Sequence, residues 1–345
     1  MNNTTSVSVN VGGKPVIFEA GLLAQQAAGS VTVRLGDTIL FSGVTCADEP
    51  KEGIDYFPLQ VEYREKFYAA GRFPGGFFKR ESKPAEKEIL TARLTDRPIR
   101  PLFPEYYRNE VQINNMLLSA DGDNDSDILS INAASCALTL SKIPFFGPIA
   151  GVRVGRVNGQ FVINPTHEER ETSDLDLVYA GTRDLPLMIE GGGAEVKETD
   201  LLAAMKLAHA ECVKLVDAQL ELRRKLGLPE KVVEEPAHDA SILNAVRELG
   251  TAEMVEALLI TGKLQRETRI KEIKVSLKVK LLEKFPEMAK EQFRSAFDNL
   301  EIELVRKSVL EKGRRIDGRG FDDLRPLNAQ VGLLPRTHGS ALFSR

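Results

Sequence analysis

"SVTVRLGDTILFSGVTC", residues 30–46, alternates apolar and polar residues on both sides of Gly36-Asp37. Side chains of a strand point alternately to its two faces, so the pattern predicts two strands joined by a tight turn. Val31, Val33 and Leu35 then share one face, and Thr32 and Arg34 the other. Just upstream, "VSVNVGGKPVIFEAG" (7–21) repeats the arrangement around Gly12-Gly13, a second hairpin. The chain therefore opens as strands grouped in hairpins.

Downstream the same punctuation returns. "ILSINAASCALTLSKI" (128–143), rich in small residues, suits a buried helix. "PIAGVRVGRVNGQFVINP" (148–165) is a hairpin turning at Asn158-Gly159, and "LDLVYAGT" and "LPLMIEGG" are two further strands. Residues 195–226 predict a long helix with Ala204, Ala208, Cys212, Leu215 and Leu222 on its stripe. Residues 8–227 thus read as one mixed α/β (α+β) domain. A polar, Pro-containing linker, 228–240, follows. Strand signals then vanish over 241–311, which reads as a small all-helical domain, and strands resume over 312–345.

The opening hairpin has an echo at the far end. Set against "RLGDTILFS" (34–42), the segment "RTHGSALFS" (336–344) brings Arg34 onto Arg336 and Leu40-Phe41-Ser42 onto Leu342-Phe343-Ser344. The expectation is that 312–345 opens a second, incomplete copy of the α/β domain, and that the chain is the N-terminal part of a longer protein.

Composition excludes several classes. At 345 residues the chain is long enough for two or three cores. The net charge of -4 gives no global basic field, so affinity for nucleic acid must come from local clusters. Three scattered cysteines and four scattered histidines support neither a disulfide framework nor a zinc ribbon, and no metal site is expected from them. The polar N-terminus is unlike a signal peptide, and no apolar run is long enough to span a membrane. The expected location is the cytoplasm.

Residues 71–108 carry such a cluster. Glycine and proline crowd at "GRFPGGFFKR", and Arg72, Lys79, Arg80, Lys83, Lys87, Arg93, Arg97, Arg100 and Arg108 recur. Between them "PAEKEILTARLTD" has helical spacing, with Pro84, Glu86 and Glu88 suited to an N-terminus and Ile89, Leu90 and Leu94 able to face a core. Pro98 and Pro101 are expected to end that helix. Phe77-Phe78-Lys79-Arg80 joins aromatic faces, which stack on any base, to cations that hold phosphates. By composition alone, a buried aromatic pair with solvated bases is the plainer reading. Arg93, Arg97 and Arg100 suit a bidentate grip on phosphate. They equally suit surface ion pairs with Glu86, Glu88 or Asp96.

Two acidic stretches invite a metal. Asp121, Asp123, Asp125 and Asp127 alternate as in a calcium loop, but Ser126 stands where glycine is required and Asn132 where glutamate is, so a solvated turn is expected instead. Asp174 and Asp176 lie two apart on a strand, hence on one face.

The long motifs give these segments a family. "FPGGFFKRESKPAEKEILTARLTDRPIRPLFP" (73–104), "RRIDGRGFDDLRPL" (314–327) and "VGLLPRTHGSALFSR" (331–345) resemble the bacterial polynucleotide phosphorylase family. The resemblance spans essentially the whole chain: a first RNase PH-like domain, a helical domain and the start of a second RNase PH-like domain. It implies a homotrimeric ring that threads single-stranded RNA and degrades it processively from the 3′ end in mRNA turnover. Inorganic phosphate would be co-substrate and Mg2+ the metal, with nucleoside diphosphates released and the reverse polymerisation possible. It implies RNA-degradosome components among the partners, and KH and OB-type modules further on. The family's phosphate-binding serines and catalytic aspartates belong to the second half, expected after Arg345. No catalytic or metal residue is therefore expected in this chain, and alone it should be inactive.

The resemblance reverses the plainer reading of Phe77, Phe78, Lys79 and Arg80, since the family's Phe-Phe-Arg-Arg lines the channel entrance. Here Lys79 replaces the first arginine, which keeps the charge and loses the planar fork. Arg93, Arg97 and Arg100 would lie beside the RNA. The DGDNDSD stretch falls where the active half has a serine-rich phosphate loop, and there Asp125 and Asp127 would repel phosphate. Asp174 and Asp176 resemble the active half's metal-binding pair, but Arg170 stands at the position of an earlier aspartate, so the pair reads as vestigial. Arg319, His338 and Arg345 would belong to the substrate side of the second half. Two alternatives stay open. One is a non-catalytic RNA-threading subunit of an exosome-like ring. The other, an RNase PH that trims transfer RNA, is opposed by the helical segment and the second-half opening.

Overall fold

The computed structural model describes the chain except residues 1–3, 52, 55, 76, 78, 82 and 234–239, so Phe78 lies outside the described residues. The chain divides into two compact units, Met1–Glu235 and Pro236–Arg345.

The first unit begins with the two hairpins: β1 (Thr5–Val11) with β2 (Lys14–Ala20), and β3 (Gly29–Leu35) with β4 (Thr38–Cys46). β5 (Leu59–Glu65), α1 (Glu86–Ile99) and β6 (Val111–Ser119) follow. The six strands form one sheet, ordered β1-β2-β3-β4-β6-β5. Only β5 and β6 run parallel, and α1 lies in the crossover that a parallel pair requires. Val31, Val33 and Leu35 are buried, as their alternation predicts.

α2 (Asp127–Leu140) comes next, then β7 (Ala150–Val157), β8 (Gln160–Ile163), α3 (His167–Glu171), β9 (Leu175–Gly181), β10 (Pro186–Gly193) and α4 (Glu198–Lys225). These strands form a second, antiparallel sheet ordered β10-β9-β7-β8. α2 contacts strands of both sheets, and all fourteen of its residues are buried. Its small side chains permit this. A Cβ added at Gly29 of β3 would sit 2.1 Å from the Ala137 carbonyl oxygen, so only glycine allows strand and helix to come this close. Its polar residues find partners. Asn132 donates to the Gly151 carbonyl and accepts from the Gly151 N–H, each at 2.9 Å, and Ser135 donates to Gln219 at 2.8 Å. On α4 the stripe Ala204, Ala208, Cys212, Leu215 and Leu222 is buried.

One expectation for α1 fails. Ile89 and Leu90 are exposed, and the helix instead buries Thr91, Thr95, Pro98 and Ile99. The reason is a polar seam with α2: the Thr95 hydroxyl bonds Ser130 Oγ at 2.7 Å and donates to the Thr91 carbonyl at 3.1 Å. The expected end does fall at the prolines: Pro98 sits in the last turn, the helix stops at Ile99 before Pro101, and the chain passes into a short 3-10 turn over Arg100–Leu102.

The second unit holds α5 (Ala240–Leu258), α6 (Lys263–Lys284) and α7 (Lys290–Lys312). Ile242, Val246, Met254, Leu277, Phe297 and Leu300 are part of its core. Gly250 keeps α5 close to its neighbours, since a Cβ there would meet Leu277 Cδ1 at 2.7 Å and Leu300 Cδ2 at 3.3 Å. β11 (Asn328–Val331) and β12 (Ala341–Ser344) pair antiparallel with every residue exposed. Among the described residues no helix is long and apolar enough to cross a membrane.

Candidate nucleic-acid interface

The segment between β5 and α1 is a loop closed at its base by two carboxylates. Glu81 accepts from the Phe67 N–H at 2.7 Å and pairs with Lys66 at 2.7 Å. The Lys66 hydrogen bond and that N–H hold its carboxyl below the usual range. Glu88, in the first turn of α1, accepts from the Ala85 N–H at 2.6 Å and from the Glu65 N–H at 2.9 Å. One side chain thus caps the helix and fixes the end of the strand. Gly71, at φ 65°, ends a 3-10 turn and sends the chain outward. Beyond it Phe73 is 93% exposed and Phe77 92%, while Lys79 and Arg80 are exposed. The aromatic of this motif that falls within the described residues is therefore not core.

The structure sorts Arg93 and Arg97 of α1 and Arg100, which follows it. Arg93 is exposed and makes no ion pair among the described residues. Arg97 is paired with Glu190 of β10, each side chain about half exposed. Arg100 is locked, held by Asp96 at 2.6 Å and donating to the Leu59 carbonyl at 3.1 Å. A groove of about 410 Å³ runs between α1 and β5, lined by Val61, Arg64, Ile89, Ala92, Arg93 and Arg100 among others.

The acidic stretches are only partly solvated. Asp121 does form a turn, accepting from the N–H groups of Asp123 and Asn124 at 2.9 Å each. Asp125 and Asp127, however, are almost out of solvent, inside an ion cluster. Arg153 of β7 pairs with Asp127 and Asp176. Arg170 of α3 bridges Asp125 at 2.5 Å and Asp176 at 3.0 Å, and Lys87 of α1 lies 3.7 Å from Asp125 and 3.0 Å from Glu65. Desolvated carboxylates persist only when paired, and here the cations come from three other elements. Burial opposes ionisation of Asp125, but Lys87, Arg153 and Arg170 outweigh it and hold its carboxyl low. Burial pushes Asp127 up against the pull of Arg153. Asp174 lies apart from this cluster, gripped by Arg156 at 2.7–3.1 Å, and Arg156 also binds Asp200 at 2.6 Å.

This arrangement does not fit a magnesium ion. Arg170 and Arg153 occupy the oxygens of Asp176 that a metal would need, and Arg156 those of Asp174. Arg153 and Arg156 were invisible as partners in the sequence. Two arginines on the otherwise apolar strand "GVRVGRV" are the one signal that could have exposed them. In the second unit Arg319 turns back onto Asp317 at 2.9 Å and the Asp323 carbonyl at 3.2 Å, whereas His338 and Arg345 are exposed.

Comparison with known proteins agrees with this organisation. Residues 12–144 match the 3′ exoribonuclease family, domain 1, and residues 147–211 its domain 2. Residues 241–320 match the polyribonucleotide nucleotidyltransferase, RNA binding domain. Curated proteins named polyribonucleotide nucleotidyltransferase are similar along nearly the whole chain. That of Methylacidiphilum infernorum is 46% identical over 334 residues, covering 97% of this chain and 47% of its own length. That of Geobacter sulfurreducens is 45% identical over 339 residues, covering 98% and 48%. That of Geotalea daltonii is 46% identical over 341 residues, covering 99% and 49%. The chain spans about half the length of these relatives. A crystal structure of rice (Oryza sativa) Rrp46 matches at TM-score 0.48 and 13% identity over 64% of this chain and 95% of that one, too loosely to carry an argument. With both exoribonuclease domains and the RNA binding domain matched in order, the chain belongs to the polyribonucleotide nucleotidyltransferase family.

Proposed function

We propose that this chain is the RNA-holding part of a phosphorolytic 3′→5′ exoribonuclease. The observation that carries the reading is the pinned loop that presents Phe73 and Phe77 to solvent beside Lys79 and Arg80. Aromatic faces and cations so mixed hold a single strand without reading its sequence. Arg93, and Arg97 once released from Glu190, extend the contact along α1. The substrate is single-stranded RNA and the working assembly a homotrimer in the cytoplasm, with RNA-degradosome components as further partners.

Phosphorolysis needs a phosphate oxygen in line with the terminal phosphorus, which displaces the 3′ oxygen of the preceding nucleotide and releases a nucleoside diphosphate. The charge on that oxygen must be taken up. Within the first domain, the places matching a phosphate loop and a metal pair are closed by Asp125, Asp127, Asp176, Arg153 and Arg170. Inorganic phosphate and Mg2+ are accordingly assigned to the second RNase PH-like half, with Arg319, His338 and Arg345 on its substrate side.

The test is phosphate-dependent release of diphosphates from poly(A), with magnesium, by the 345-residue chain and by a chain extended through that half. The expected result is RNA binding without release by the first, and release by the second. Turnover by the short chain would overturn this assignment. Binding without release by both would favour a non-catalytic RNA-threading subunit.

A further inference from the structure

We propose that a single ordered water is built into the first domain, in a pocket between Asn124, Asp125 and Arg153. Three buried polar atoms there have no hydrogen-bond partner: Asn124 Oδ1, Asp125 Oδ1 and Arg153 Nε. Their side chains are otherwise committed. Asn124 Nδ2 donates to Asp121 at 2.7 Å, Asp125 Oδ2 accepts from Arg170 at 2.5 Å, and the two terminal nitrogens of Arg153 go to Asp176 and Asp127. Lys87, at 3.7 Å, is too far to satisfy Asp125 Oδ1 by a hydrogen bond. Arg153 is 6% exposed, so bulk solvent does not supply its missing partner.

All three residues line one pocket of about 10 Å³, whose other walls are Leu35, Ile128, Leu129, Pro165 and Asn164, the last with its Oδ1 already accepting from the Arg153 N–H. That is close to the least space that holds one water, and a buried water needs two to four polar partners. The set of atoms also selects the molecule. Arg153 Nε offers one donor, and the two oxygens require two. Water can accept from Arg153 Nε and donate to both oxygens. A metal ion or ammonium could not accept from Arg153, and an anion would face two acceptors in a space too small for it. The pocket is fixed by different elements, since Leu35 ends β3, Ile128 and Leu129 open α2, and Arg153 lies on β7. Such a water would complete the cluster's hydrogen bonding and keep Asp125 anionic without a further cation.

The decisive measurement is a crystal structure of the chain at a resolution that shows ordered waters. The expected result is one peak about 2.7–3.2 Å from each of the three atoms. Absence of the peak, a direct bond from Arg153 Nε to Asp125, or the short contacts of a metal ion would overturn the proposal. A second measurement is water-oxygen magnetic relaxation dispersion on the native chain and on Asn124→Leu, which fills the space and removes one acceptor. The variant should hold one long-lived water fewer. An equal number, with circular dichroism showing the variant folded, would also overturn it.

Discussion

If Arg97 holds RNA as proposed, Glu190 competes for it, and removing the Glu190 charge should tighten binding. Each side chain of the pair is 52% exposed, which places the interaction in the range of solvent-exposed ion pairs, about 0.2–1 kcal/mol. A phosphate must displace Glu190 before it gains Arg97, so that energy is subtracted from the affinity. Glu190→Gln keeps the shape, removes the charge and returns the cost, equivalent to about 1.4- to 5-fold tighter binding. The released arginine also adds to the counterions displaced, so the log–log salt slope should steepen by up to about 0.7 for a single strand. Fluorescence anisotropy with a labelled oligo(A), titrated across salt concentrations, reads both quantities. Loss of any acid near an anion helps in a general way, so the same change is measured in an Arg97→Ala background, where the gain should vanish. A gain that survives there would show a diffuse field effect. No gain from Glu190→Gln, with Arg97→Ala still weakening binding, would show that Arg97 reaches RNA without releasing its partner.

Lys79→Ala with Arg80→Ala should lower the salt slope by about 1.4, and Phe77→Ala should weaken binding by about 1–3 kcal/mol in the same assay, if phosphates and a base are held there. Arg153→Met strands the buried carboxylate Asp127, while Asp125 keeps Arg170, and should destabilise the first domain by about 3–5 kcal/mol, read as a lower urea midpoint by circular dichroism. Asp121 is held below the usual carboxylate range: burial opposes its ionisation, and the backbone and side chain of Asn124 with the Asp123 N–H outweigh it. Its folded pKa lies under the unfolded value near 3.9, so its contribution is full above that pH and is lost as the pH falls further. The stability gap between the native chain and Asp121→Asn, followed by urea unfolding, should therefore be constant near neutrality and narrow in acid.

Much of the fold was legible because hairpins are local. The alternation around Gly36-Asp37 and Asn158-Gly159 needs only neighbouring residues, and the strands formed where it predicted. α1 was harder. Its exposed face carries Ile89 and Leu90, and its buried face is marked by threonines whose partner, Ser130, lies on another helix. The acidic stretch was misread for a similar reason. Asp127 meets an arginine 26 residues away and Asp125 one 45 residues away. Nothing in "DGDNDSD" records those cations, so a turn in water was the natural reading. The loop at Phe77 was legible in composition, but its exposure had to come from the structure.

The pinning of that loop by Glu81 sets how far it can fish. Phe67–Ala70 form a 3-10 turn held to the domain, so only the ten positions from Gly71 to Glu81 can extend, half of them out and half back. At about 3.3–3.6 Å per residue the tip can reach no more than about 18 Å from its anchor. If RNA binds here as proposed, an end drifting within that radius meets aromatic rings and positive charge. Cutting the anchor would widen the radius but dilute the tip through a larger volume, since the entropy of closing a loop grows with its length. A carboxylate at the base of the loop would in this way set the balance between how far the loop searches and how firmly it holds.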